Sequence, residues 1–451
     1  MKTTRNLAAL AAATALAMMV AGCEGGSPTP GKAAGSKPAV SGPQAYVQCM
    51  RAHGVRDFPD PVDGHIVLTP ASGINLSSPQ FEAASSACAA LGPSGGTPDG
   101  TAGGTAAGQH AATDGKTVSA SQWRAFGAWL KERAAAGQFS GAVLAAKDGT
   151  PVLDAGYGLA DREEGTADTP QTKFCVASIG KLFTAVAVAQ LVEQRKLSFG
   201  DTIGKFLADF APSVADHVTI AELLDMTSGL GDVALGSANP PATLAGLMKL
   251  ILPEHPQFSP GSRFLYSNDG YLVLGAVIQS VTRQSYDSYV QEHVLDPAGM
   301  THTSLSVYTP AGVPGMAHGY ALAGTTLRDD SATPQLANPS GGAYSTAGDL
   351  LNFAQALTAE KLLSPAMTTT VLTPRVNSPQ PGGPPVDKYT YGFAYQAING
   401  VTFIGHNGGT PGYEGQLDIY PKAGYAVVIL TNQDETLLPA IQRSEAMLTS
   451  R

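Results

Sequence analysis

Apolar and small residues alternate loosely from Gly141 to Lys147, and the pair Asp148-Gly149 is a tight-turn signal. The pattern predicts a strand, a hairpin turn and a returning strand from Pro151 to Gly158. The same signature recurs near the other end of the chain. Tyr391 to Ile398 reads as a strand, Asn399-Gly400 as a turn and Val401 to Gly405 as its partner. Gly415 to Tyr420 and Tyr425 to Thr431 flank a turn at Pro421-Lys422-Ala423-Gly424. Between these strand-rich ends, roughly 177 to 360, the pattern is helical. Leu182 to Val192 is apolar almost all round, which marks a buried helix, and Tyr271 to Val281 is a second apolar stretch. Strands joined by tight turns are antiparallel. The economical architecture is α/β in composition (α+β in order): an antiparallel sheet built from both chain ends, flanked by helices, with a helical region inserted.

The first residues differ from all of this. Lys2 and Arg5 precede an uncharged apolar run from Leu7 to Val20, short for a membrane span and suited to a signal peptide. It ends in Val20-Ala21-Gly22-Cys23, which resembles a bacterial lipobox. Residues 1–22 are therefore expected to be a lipoprotein signal peptide and Cys23 the lipidated first residue of the mature chain; cleavage near Gly22 of an ordinary signal peptide is the alternative. The expected location is the extracytoplasmic face of the cell membrane, held by the lipid anchor. Residues 23–44 form a polar, proline-rich tether, 45–92 a small module, 93–118 a flexible linker, and 119–451 the large domain. An exported chain lives where disulfides persist. Cys49 and Cys88 bracket the small module and are the expected pair, leaving Cys175 as a lone buried thiol.

Composition narrows the function classes. The formal net charge is −9, the wrong sign for a phosphate-backbone binder, so no nucleic-acid partner is expected. Charged residues are 14% of the chain, below the roughly 25% of an average soluble domain. No Cys-x-x-Cys or His-Glu-x-x-His occurs, so no metal site is expected. Gly92-Pro93-Ser94-Gly95-Gly96 fits a nucleophile-elbow pattern but sits in the linker, without the strand and helix that motif requires. Gly26 to Lys32 falls short of a phosphate loop, because Ala33 replaces the hydroxyl residue.

Three short motifs carry chemistry. Ser178-Ile179-Gly180-Lys181 is the only Ser-x-x-Lys in the chain and opens the first apolar helix. Three residues apart on a helix, the amine and the hydroxyl share a face. Burial favours the neutral amine, the form that accepts a proton. Tyr266-Ser267-Asn268, the only Tyr-x-Asn, precedes the second apolar helix; its phenol is suited to proton relay and its amide to holding substrate or Lys181. His406-Asn407-Gly408-Gly409 ends a predicted strand, where glycines admit close backbone approach.

Together, in this order, the motifs resemble the serine β-lactamase and penicillin-binding protein superfamily, in particular the class C type β-lactamase-related hydrolases. The resemblance spans about 121–449 and includes Leu223 to Leu230, Pro260-Gly261 and Gly341 to Leu350. It implies a β-lactamase/DD-peptidase-like fold and no cofactor. It makes Ser178 the acylated nucleophile and Lys181 and Tyr266 the proton-transfer pair, with the activating member of that pair left open. Asn268, His406, Asn407 and Gly408 would contact substrate, and the N–H groups of Ser178 and Gly409 would form the oxyanion hole. His406 stands where β-lactamases usually carry Lys, and Asn407 where they carry Thr. The expected function is thus a monomeric, membrane-anchored serine hydrolase of the carboxypeptidase or esterase type. Its partners would be small esters or D-Ala-D-Ala-type peptides, including peptidoglycan stem peptide. A true class C type β-lactamase and a non-catalytic cell-wall or β-lactam binder are the alternatives. His406 is expected to gain charge as pH falls, and carboxylate-bearing substrates to bind better with it.

Overall fold

The computed structural model describes residues 43–56, 58, 84, 88, 117–236, 240–378 and 386–450. The signal peptide 1–22, Cys23, nearly all of the tether and linker, and Ser94 lie outside the described residues.

In chain order, α1 is Pro43–Ala52, α2 Ala120–Ala135, β1 Gly141–Lys147, β2 Thr150–Tyr157, β3 Phe174–Ala177 and α3 Lys181–Glu193. Then come α4 Asn268–Thr282, β4 Ala343–Ser345 and α5 Ala347–Thr358. The last third holds β5 Val376–Asn377, β6 Lys388–Tyr389, β7 Ala394–Ile398, β8 Val401–Thr410, β9 Tyr413–Tyr420, β10 Tyr425–Thr431 and α6 Leu437–Thr449. Eight of these strands form one antiparallel sheet in the order β2-β1-β10-β9-β8-β7-β6-β5. Its centre joins the two chain ends: β1 pairs with β10 from Gly141↔Thr431 to Lys147↔Tyr425.

Both faces of this sheet are covered, and the strand alternation divides the core in two. Ala142, Leu144, Ala146, Ala426, Val428 and Leu430 face the larger core, which holds α3, α4 and α5. Val143, Ala145, Tyr425, Val427 and Ile429 face a second core closed by α2 and α6. Helix α2 starts at a capping box, with Ser119 accepting from Gln122 and the Gln122 side chain reaching back. It then buries Trp123, Phe126 and Leu130 at helical spacing. Helix α3 is buried on nearly every side from Lys181 to Leu191. That is why its sequence shows no polar face.

The sheet differs from the sequence expectation at the site end. The strand expected to stop at Gly405 runs on to Thr410, because β9 continues to pair with it through Thr410↔Tyr413. The strand expected from Tyr391 begins at Ala394. The middle region is not purely helical: β3 and β4 pair with each other there, and a further hairpin joins Tyr320–Ala323 to Thr326–Asp329.

In the small module, Cys49 and Cys88 are disulfide-bonded, and Val47, Met50, Phe58 and Ala84 share a buried cluster with Cys88. Cys175 is a free, buried thiol. Among the described residues, no helix is long and apolar enough to cross a membrane.

Candidate active site

Strand β3 delivers the chain to Ser178 through a constrained backbone. Ala177 has φ 42° and ψ −128°, a conformation that costs an alanine about 1–3 kcal/mol. The turn is braced from the β4 side: the Gly342 N–H donates to the Ala177 carbonyl at 3.1 Å, and Ala343 pairs with Ala177. Gly341 has to be glycine, since a Cβ there would meet the Ala177 carbonyl oxygen at 2.5 Å. Ser178 to Gly180 form a single 3₁₀ turn that runs into α3. Ser178 is thereby left half-buried, with Lys181 fully buried one turn on.

Lys181 is held at three points. Its Nζ donates to Ser178 Oγ at 3.1 Å, to Asn268 Oδ1 at 2.5 Å and to the Ser340 carbonyl at 2.7 Å. It lies 4.8 Å from the centroid of the Tyr266 ring and 5.5 Å from that of Tyr271. Burial lowers the Lys181 amine to about 7, against a smaller upward pull from Asp232. A fraction of the amine is therefore neutral at physiological pH. Tyr266 moves the other way. Burial raises its phenol well above the ordinary value, and its hydrogen bond with Ser178 offsets part of that rise. At neutral pH the phenol keeps its proton.

Strand β8 forms the opposite wall. Gly408 packs directly on the nucleophile turn: a Cβ there would meet the Val176 carbonyl oxygen at 2.3 Å and Ser178 N at 2.9 Å. Gly409 is open, with nothing within 4 Å of the corresponding point. Pairing of β7 with β8 ends at Ala394↔Gly405, while β9 follows β8 to Thr410. Among the described residues, 406–410 therefore have a strand on one side only, an edge on which an extended substrate can pair.

One expectation changes at this strand. His406 is 2% exposed, its Nε2 lies 2.9 Å from the Tyr389 hydroxyl and its Nδ1 2.5 Å from the Asn407 carbonyl. Burial, followed by the nearby Lys181 charge, depresses the ring to about 3. His406 stays neutral through the physiological range, so it gains no charge to offer a carboxylate as pH falls. Asn407 is half-buried beside it. Strand alternation puts Asn407 on the face opposite His406 and Gly408, and its carbonyl lies against the His406 ring.

The structure thus brings Ser178, Lys181, Tyr266, Asn268, His406 and Gly408 together. It adds residues that sequence reasoning missed. The Ser340 carbonyl and the Tyr389 hydroxyl come from distant segments, with no local motif to mark them. Asp232 accepts from the Asn268 N–H at 2.5 Å. It follows Leu230 by two residues, and its acidic side chain in a Gly-rich loop was the one available signal.

A family model described as Beta-lactamase matches residues 126–449. The protein PbpX of Bacillus subtilis, named for penicillin binding, is 31% identical over 65% of this chain and 70% of its own length. Protein flp of Staphylococcus aureus is 28% identical over 66% of this chain. The match spans 60% of flp. The crystal structure of a penicillin-binding protein from Bacillus halodurans superimposes with a TM-score of 0.63 at 30% identity, covering 70% of this chain and 98% of that one.

Proposed function

The chain belongs to the serine β-lactamase and penicillin-binding protein family of hydrolases, and from that premise we propose that it is a serine hydrolase that acylates Ser178, held at the membrane by a lipid on Cys23. The observation that carries this reading is a buried amine, lowered to about 7, hydrogen-bonded to a serine hydroxyl at 3.1 Å.

The steps follow from the protonation states. Neutral Lys181 takes the Ser178 proton as Oγ attacks the carbonyl carbon of an ester or amide and the C–O(Ser) bond forms. The N–H groups of Ser178 and Gly409 hold the oxyanion that develops. The protonated Tyr266 phenol hands its proton to the departing oxygen or nitrogen as the scissile bond breaks, and Lys181 returns a proton to the phenol. Water then attacks the acyl-enzyme by the same relay in reverse and regenerates Ser178. This order favours Lys181 over Tyr266 as the activating base. The substrate class is small esters or D-Ala-D-Ala-type amides, with peptidoglycan stem peptide as the cell-wall candidate.

Ser178→Ala is expected to abolish labelling by a fluorophosphonate and to cut kcat by several orders of magnitude. Normal turnover in that variant removes Ser178 from the reaction. A panel of p-nitrophenyl esters, nitrocefin and a D-Ala-D-Ala peptide names the substrate. Much faster clearance of nitrocefin than of the esters would make the protein a β-lactamase in the strict sense. Cys23→Ser is expected to move active protein from the membrane to the soluble fraction, and unchanged fractionation would rule out the lipid anchor.

A further inference from the structure

We propose that Asp232 is a positioning residue of this site: it fixes the amide of Asn268 and, through that amide, sets the place of the Lys181 amine. The inference rests on the reading of Lys181 as the base.

The geometry is a chain of contacts. The Asp232 carboxylate accepts the Asn268 main-chain N–H at 2.5 Å. Its charge is further favoured by the nearby Asn268 side-chain amide and the Asp269 main-chain N–H. The other end of the Asn268 side chain, Oδ1, accepts from Lys181 Nζ at 2.5 Å, and that Nζ is 3.1 Å from Ser178 Oγ. An asparagine amide flips freely unless its two ends see different partners. Here one end faces an acceptor that cannot donate and the other a donor that cannot accept when charged. The orientation is therefore determined, and Asp232 determines it.

The position of Asp232 is itself built. Its loop is tied to the start of α4 by the Ser267 hydroxyl donating to the Gly231 carbonyl at 2.8 Å, and by Asp269 accepting from Val233 N at 2.6 Å and from Ala234 N. Burial and the neighbouring Asp269 raise the Glu254 carboxyl above its ordinary value. The carboxylate lies at the N-terminal end of a fifteen-residue helix, where negative charge is favoured. Among the described residues, the groups acting on Lys181 are Asp232, the phenols of Tyr266 and Tyr271, and neutral His406. Asp232 is the member of this set that favours the ammonium form.

Loss of the charge has a distinctive result. Asp232→Asn offers Asn268 both a donor and an acceptor, so the amide is no longer held, and it withdraws the pull that raises Lys181. The acidic limb of kcat/KM is expected to move down by about one pH unit, the low end of an opposite charge's effect. kcat is expected to fall about tenfold, with KM for a neutral p-nitrophenyl ester little changed. Asp232→Ser, which keeps a helix-capping oxygen without the charge, should move the limb in the same way and serves if the amide variant folds poorly. Asp232→Glu, which keeps the charge and changes the reach, should hold the limb and lose kcat. An unmoved limb in both uncharged variants overturns the proposal, as does a loss confined to KM for amine-bearing substrates. Lys181→Ala run in parallel separates the two levels. Substantial turnover there removes the base reading and the proposal together, whereas loss of turnover there with an unmoved limb at Asp232 removes the proposal alone.

Discussion

Burial drives a lysine and a histidine alike toward neutrality, yet the consequences at this site are opposite. Lys181 lands near 7, where its proton can leave and return; His406 lands at about 3 and has no titration left in the working range. The ratio of kcat/KM for a carboxylate-bearing substrate to that for its neutral ester is therefore expected to stay flat from pH 8 to pH 5, while both rates fall on the acid side of about 7 as Lys181 protonates. Stopped assays across that range check it; a ratio that climbs as pH falls would return charge to His406. At this scale the sequence was informative where spacing along one helix carries the geometry. Ser178 and Lys181 are one turn apart, and Tyr266 and Asn268 frame the cap of α4. It was silent on Ser340 and Tyr389, which reach the site from other segments, and it misjudged the charge of His406, expected to grow as pH falls. That charge depends on burial, which a motif does not encode.

Elements carry the next level of precision, through how closely two backbones approach. Strand β8 lies so near the nucleophile turn that the Gly408 position has room for hydrogen alone on that side, while Gly409, its neighbour, faces open space. Gly408→Ala is expected to push β8 off Ser178 and cost about 10²-fold in kcat/KM, the scale of a misplacement near 1 Å. Gly409→Ala keeps its main-chain N–H and should remain within a few-fold of wild type. Matched thermal melts with unequal kinetics would support this account, and equal kinetics in the two variants would refute it. The hairpin β9–β10 was legible almost to the residue at Tyr425–Thr431, because β-branched and apolar residues run between clear turns. The end of β8 was not. Three glycines in six residues carry little strand propensity, and β8 extends there because β9 is already in place to pair with it.

Across the whole molecule the two chain ends close one sheet, and the burial this brings reaches polar groups as well as apolar ones. On the face covered by α6, Asp418 of β9 and Glu445 of α6 are both buried, together with Gln416 and Tyr420. The Gln416 side-chain amide donates to Asp418 at 2.6 Å. Burial raises both carboxyls, and the nearby Asp418 raises Glu445 further. The alternating pattern of β9 places Asp418 on that face, but that no cation among the described residues offsets its burial cannot be read from a strand period. The sign of the consequence follows from linkage. The folded state retains protons that the unfolded chain has already released at neutral pH, so the pair's contribution is greatest below the ordinary carboxylate range, about pH 4. It is lost as pH rises through the raised folded values. Asp418→Asn resembles the protonated acid at every pH and can still receive the Gln416 hydrogen bond through its carbonyl oxygen. It should therefore exceed wild type least at pH 5 and increasingly toward pH 8.5, the gap widening by on the order of 1–3 kcal/mol over that range, since a tenfold change in proton affinity on folding corresponds to about 1.4 kcal/mol. Denaturant melts of the two proteins at pH 5, 7 and 8.5, with Ser178 labelling as the check on the native site, measure this difference. A variant less stable than wild type at pH 8.5 would mean that Asp418 is ionised and paired in the folded protein, reversing the sign.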